Sequence, residues 1–175
     1  MRKLTIGIVI AVVFLTSCSS NPASSATGND NNAATSKINK QTALNAVTAL
    51  SKRDVDGMLR DCTDSYADLG DGSAKPLTNK DSLRDAFKEF FKACPDFTGK
   101  NFVAVADSNI VIVTGVWTGT FKSAYGPYKP SDKSFKIPEA DIYTFDKTGK
   151  ISSHRSIQSE ATTMYQLGLL VPSKN

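Results

Sequence analysis

The chain changes chemistry once, at Pro95. Before it, apolar residues recur at helical spacing; after it, runs of Val, Ile, Thr, Tyr, Phe and Trp alternate as they do in strands. Ala43, Leu44, Val47 and Leu50 form one stripe. Val55, Met58, Leu59 and Cys62 form a second after the break at Lys52-Arg53-Asp54. A third helix is predicted from Lys80 to Ala93, behind Thr78 and Asn79 as cap residues, with Leu83, Ala86, Phe87 and Phe90 on one face and Cys94 continuing it. Beyond Pro95, strands are predicted at 101–107, 109–121, 135–145 and 149–158. Asp107-Ser108-Asn109 and Asp146-Lys147-Thr148-Gly149 are the hairpin turns, and a last helix runs over 160–168. Helices first and a long antiparallel meander after them define an α+β domain, with the helices packed on one face of a curved sheet. The Gly/Pro-rich stretch 122–133 is long enough to overhang a cavity at the sheet's open end.

The N-terminus belongs to a different problem. Arg2 and Lys3 precede an almost unbroken apolar run from Leu4 to Leu15, too short to span a bilayer and laid out like an export signal. Leu15-Thr16-Ser17-Cys18 resembles the lipobox of bacterial lipoproteins, which implies cleavage before Cys18 and acylation of that cysteine, palmitate-type chains included. Two or more acyl chains anchor stably where one is marginal. The organisation expected is therefore a signal peptide over 1–17, the lipidated Cys18 with a polar tether to residue 36, and a folded domain over 37–172. The tether, 19–36, holds no large apolar side chain. The expected location is the bacterial cell envelope, facing the periplasm or the exterior.

Charge and cysteine counts change meaning once this segment is removed. The whole chain carries 21 basic and 17 acidic residues; without Arg2 and Lys3 the excess falls from +4 to +2, and no basic block remains, which speaks against a nucleic-acid partner. Cys62 and Cys94 are the remaining thiols. A disulfide and two small buried apolar residues are the alternatives, the second preferred because each falls on a predicted helical stripe. No CxxC or His/Cys spacing suggests a metal. No phosphate-binding Gly loop or Ser-His-Asp arrangement suggests a cofactor or a nucleophilic triad.

Several segments together resemble the SnoaL-like polyketide-cyclase group of the nuclear-transport-factor-2-like superfamily. The most specific is Gly149-Lys150-Ile151-Ser152-Ser153-His154-Arg155 followed by Gln166-Leu167-Gly168. Pro130-Ser131-Asp132-Lys133-Ser134-Phe135, Lys52-Arg53-Asp54-Val55-Asp56 and Ala93-Cys94-Pro95-Asp96-Phe97 support it. The resemblance implies a cone-shaped barrel, a short strand near Ser65-Tyr66-Ala67-Asp68, and a pocket faced by the histidine of the last strand. In cyclases of the group the acid/base carboxylate sits two residues after that histidine, where this chain has Ser156. A serine with no adjacent base does not replace a carboxylate near neutral pH.

Strict alternation puts Ser152, His154, Ser156 and Gln158 on one face of the last strand, and Ile151, Ser153, Arg155 and Ile157 on the other. Asp141 shares a face with Ile137, Glu139, Tyr143 and Phe145. If Asp141 reaches His154, the carboxylate orients the ring and leaves its other nitrogen as a general base; the alternative is a solvated strand residue. Tyr66, Trp117, Tyr143, Ser156 and Gln158 are the expected ligand contacts. Core packing remains the other reading of Tyr66, and Trp117 suits a core, a ligand wall or an interface alike. Three functions follow: binding of a small, largely apolar molecule; a cofactor-free isomerase, cyclase or hydrolase using His154 with Asp141; and a protein-interaction module, the open sheet face forming a homodimer as it often does in the superfamily.

Overall fold

The computed structural model describes residues 26–72 and 74–170. Four helices, α1 (Ala26–Ser51), α2 (Val55–Leu59), α3 (Lys80–Ala93) and α4 (Glu160–Leu167), accompany five strands, β1 (Cys62–Asp68), β2 (Thr98–Asp107), β3 (Ile110–Thr120), β4 (Ser134–Phe145) and β5 (Ile151–Ile157). They form the expected α+β arrangement. The sheet order is β1-β5-β4-β3-β2, antiparallel throughout except that β1 runs parallel to β5. α1 packs across β2 and β3, and α4 lies against β4. Every buried side chain among the described residues falls between Asn39 and Leu167.

α3 has the bounds its pattern predicts, and its cap is Asn79, whose side chain accepts from the N–H groups of Asp81 and Ser82. Gly168 ends α4 at φ 71°, a left-handed conformation that suits a residue without Cβ. β5 pairs with β4 no further than Ala140, which leaves the Lys136 peptide open on that side. The Gln166 amide fills the gap: Oε1 accepts from Lys136 N–H at 2.7 Å and Nε2 donates to the Lys136 carbonyl at 3.2 Å.

Three expectations need correction. The second half of the tether, from Ala26, is helical, as a backward extension of α1; its residues from Asn32 to Ile38 stay largely exposed, so propagation from the docked part, not burial, orders them. Cys62 is not on a helix. α2 ends at Leu59 and Cys62 opens β1, while Cys94 caps the C-terminus of α3; both thiols are free and buried. Burial lifts each thiol to about 11, which makes both inert near neutral pH.

The third correction concerns β5. Ile151 pairs with Phe145 and Ser153 with Thr144, so the strand gains a residue at a bulge. Ile151 therefore faces the core with His154 and Ser156, although simple alternation puts it on the opposite side. The Ser152 hydroxyl bonds the Thr144 carbonyl at the bulge. The residues that matter, from Ser153 onward, keep the predicted phase. Signal peptide, cleavage point and Cys18 lie outside the described residues. Within the described residues no helix is long and apolar enough to cross a membrane.

Candidate active site

Between α3, α4 and the concave face of the sheet lies a cavity of about 450 Å³, in the size range of small-molecule sites. Its walls are apolar. α3 contributes Leu83, Phe87 and Phe90, and the sheet contributes Trp117 and Ile137. Tyr125 and Tyr128, from the 122–133 connection, stand at its edge; Phe90 meets the Tyr125 ring edge-on at 5.8 Å. That connection is fixed at its base by Phe121 N–H to Lys133 O and Lys122 N–H to Ala93 O.

The opposite end is polar. His154 sits on β5 with β1 on one side and β4 on the other, and each neighbour supplies a carboxylate. Nδ1 lies 3.1 Å from Asp68 Oδ2, and Nε2 lies 2.9 Å from Asp141 Oδ1. Asp68 is itself held: Gly70 N–H donates to Oδ1 at 2.9 Å, and Tyr66 O–H donates to Oδ2 at 3.1 Å. The Tyr143 ring packs against the imidazole with centroids 5.0 Å apart.

This arrangement decides the protonation of the histidine. Burial opposes a charged ring, but the hydrogen bonds to Asp141 and Asp68, with both carboxylate charges, outweigh it and raise the imidazole to about 10. Burial works against the Asp68 charge too, yet the bond to His154 and its positive charge hold that carboxyl below its ordinary value. His154 is thus an imidazolium clamped by two carboxylates. It is not the general base with one free nitrogen that the sequence suggested, because Asp68 occupies the nitrogen that Asp141 leaves.

Glu139 stands beside this triad on the same face of β4. Desolvation raises its carboxyl, the Asp141 charge raises it further, and the His154 charge and Ser156 hydroxyl offset only part, leaving it at about 7. A carboxyl that titrates near neutrality against an apolar cavity can take or give a proton there without a cofactor.

The expected site residues divide into two groups. His154, Asp141, Trp117, Ser156 and Gln158 line the cavity. Tyr66 and Tyr143 are buried behind them, where Tyr66 supports Asp68 and Tyr143 supports the His154 ring. Asp141 is 2% exposed, so it is no solvated strand residue, and its Oδ2 has no hydrogen-bond partner among the described residues. Trp117, 1% exposed, stacks on Phe97 with centroids 4.8 Å apart, and its Nε1 likewise has no partner among the described residues. It is core and cavity wall at once, and it faces away from the outer sheet surface.

Sequence reasoning missed two groups. The resemblance puts Asp68 on a strand that lines the pocket wall, with a surface position as the alternative, but nothing local shows that β1 pairs with β5 and brings Asp68 to His154; Glu139 is placed on the Asp141 face with no role. Its position two residues from Asp141 was the available signal. Among the described residues no group of His, Cys, Asp and Glu is arranged to hold a metal ion.

Fold and site together define an α+β cavity protein with an acid–base network at one end of an aromatic pocket. The chain belongs to the SnoaL-like polyketide cyclase family, whose profile matches residues 40–167. It is similar to the crystal structure of a candidate polyketide cyclase from Xanthomonas campestris pv. campestris (12% identity, 76% of this chain and 98% of that one, TM-score 0.69). It is also similar to AclR, a candidate hydroxylase from Streptomyces galilaeus (17% identity, 78% and 99%, TM-score 0.66), and to an NTF2-like protein from Burkholderia thailandensis (18% identity, 74% and 96%, TM-score 0.62). At these identities the likeness is one of fold: the NTF2-like fold. No curated protein matches the chain.

Proposed function

We propose that this protein binds a small, largely apolar molecule in the cavity between α3, α4 and the sheet, with the molecule's polar end against the His154 cluster. The observation that carries this reading is the asymmetry of the cavity: aromatic walls along its length and a charged, hydrogen-bonded floor at one end. Apolar walls supply affinity through desolvation, and few fixed polar groups supply orientation. Native mass spectrometry of the chain starting at Ser19, which keeps every described core residue, tests it. A retained small molecule supports the reading. A clean apo mass with no thermal shift across a panel of apolar metabolites overturns it.

A second reading, a cofactor-free isomerase, cyclase or hydrolase, is favoured by the Asp141–His154–Asp68 clamp beside a carboxyl titrating near neutrality. In it Asp141 and His154 stabilise charge during proton transfer. The family's carboxylate two residues after the histidine is absent at Ser156, so the chemistry rests on β4. Loss of turnover with retained ligand binding in Asp141→Asn would support it, and turnover unchanged in that variant would sink it.

The same proposal places the domain on the cell envelope, tethered through acylated Cys18, and pairs two copies through the outer sheet face. Support for the anchor is the sequence alone: the basic start, the short apolar run and Leu15-Thr16-Ser17-Cys18. Labelled palmitate incorporated by the natural chain and lost in Cys18→Ser is the expected result; equal incorporation in both removes the anchor. Support for pairing is the row of exposed Val103 and Val105 on the face opposite the cavity.

A further inference from the structure

We propose that the connection between β3 and β4, residues 122–133, is a strap that closes on the bound molecule, and that Tyr125 and Tyr128 at its tip become the outer wall of the occupied cavity. This deepens the binding reading above and rests on it.

The strap is stiff at both ends and free between them. At its base the β3–β4 ladder runs on past the strands: Phe121 N–H donates to the Lys133 carbonyl at 2.9 Å, and Asp132 N–H donates to the Phe121 carbonyl at 3.0 Å. The Lys122 ammonium pairs with Asp132 at 3.1 Å, and the buried rings of Phe121 and Phe135 hold the base in the core. At the tip, Tyr125 and Tyr128 exchange both backbone hydrogen bonds, at 3.1 and 3.0 Å, around Gly126-Pro127. Gly126 at φ 53°, followed by a proline whose ring holds φ on the negative side, makes the two-residue turn that such a hairpin needs.

Between tip and base, Ala124 on one side and Lys129-Pro130 on the other make no backbone hydrogen bond among the described residues. Every residue from Lys122 to Pro130 is exposed. The ring contact that ties the tip to the body is the edge of Tyr125 against Phe90 of α3, at 5.8 Å. A rigid tip on two unbonded spans, held by one such contact, belongs to the low-stability end of the structure from which moving parts are drawn.

The cavity supplies the reason to close. Tyr125 and Tyr128 line it, yet stay 41% and 37% exposed. α3 stands across the mouth with only Leu83 and Ala93 buried, while Phe87 and Phe90 are half-buried and turned to the cavity. Aromatic rings gain from closure chiefly through atoms packed on their inner side, and a bound molecule supplies those atoms. Ligand and closed strap therefore favour each other, and the molecule leaves only when the strap lifts.

The test follows the neutral dye N-phenyl-1-naphthylamine by stopped-flow fluorescence on the chain starting at Ser19. In Tyr125→Ala combined with Tyr128→Ala the strap keeps its base and loses its wall, so release should be about tenfold faster, because lost contacts act mainly on dissociation. Phe90→Cys combined with Tyr125→Cys allows the opposite change, the two thiols being joined by a two-carbon bis-methanethiosulfonate. Cys62 and Cys94 are buried and pushed up to about 11, so the reagent takes the new pair. In the joined protein uptake and release should both slow about tenfold, as for a held lid, and both should recover when a reductant cuts the link, which also shows that the fold survived. A fixed wall already in contact would be indifferent to the link. Rates unchanged by the link overturn the proposal, as does unchanged release in the double alanine variant; dye binding in either case leaves the cavity reading standing. No binding of the dye by the natural sequence overturns both.

Discussion

Asp68 and Asp141 grip the two nitrogens of one imidazole from the strands on either side of it, at 3.1 Å from Nδ1 and 2.9 Å from Nε2 of His154. The order β1-β5-β4 makes this clamp, because β1, the one parallel strand, closes the side that an antiparallel meander alone would leave open. A charged ring in a buried place is stable only while both partners are ionised.

Asp141→Asn keeps the shape of the clamp and removes one of its charges. The His154 imidazole should fall from about 10 toward its ordinary value, as read by ¹⁵N NMR of the ring nitrogens across a pH titration. An unchanged midpoint would mean that Asp68 alone sets the protonation of the ring. Tyr66→Phe, which removes only the hydroxyl donated to Asp68, should move the midpoint much less.

Stability should depend on pH with a definite sign. Glu139 is raised from its ordinary 4.5 to about 7, so the folded state binds that proton more tightly and stability declines between those values. His154 is raised from 6.5 to about 10, which extends the decline through that second window. Asp68 is depressed, so its contribution is lost only as pH falls through its lowered folded value. Urea midpoints should therefore be highest on the acidic side, at about pH 4–5, and fall progressively toward pH 10. Glu139→Gln should flatten the first decline and leave the second.

How much of this was legible follows from where each signal resides. The helix Lys80–Ala93 and the strand meander were readable because periodicity and caps are local. The Asp141–His154 contact was readable as a condition, since both residues sit on the inward phase of adjacent strands. Asp68 was not, because its partner is set by a parallel pairing of β1 with β5 across most of the chain, which no local pattern encodes. The Ile151 face was misread for a related reason: a bulge adds one residue and reverses parity, and nothing in Ile151-Ser152-Ser153 marks it.

Gly115 should tolerate no side chain. A Cβ there would stand 2.6 and 2.7 Å from ring carbons of Phe102, which itself packs on Trp117 with centroids 5.5 Å apart. Gly115→Ala should cost about 1–3 kcal/mol in denaturant unfolding, the usual range for overpacking. It should also perturb the fluorescence of Trp117, the only tryptophan in the chain. Gly126→Ala, at φ 53° but in open space, should lose stability through the backbone alone and leave that fluorescence unchanged.

The outer sheet face offers the last test. Val103 and Val105, 62% and 60% exposed, lie on β2, and the register extends them into rows across the sheet. Val105 stands opposite Ile112, which stands opposite Ile142; Val103 continues through Thr114 and Ala140 to the exposed Ile157. Apolar rows of this kind on a single sheet face suit a self-complementary contact, since a two-fold axis lays the same rows against each other. Sedimentation equilibrium of the chain starting at Ser19 should give a dimer, and Val105→Lys should give a monomer with an unaltered circular dichroism spectrum. Because these side chains point away from the cavity, that variant should bind N-phenyl-1-naphthylamine as the natural sequence does. A monomer before substitution, or a dimer that survives it, would leave the outer face without a role in pairing.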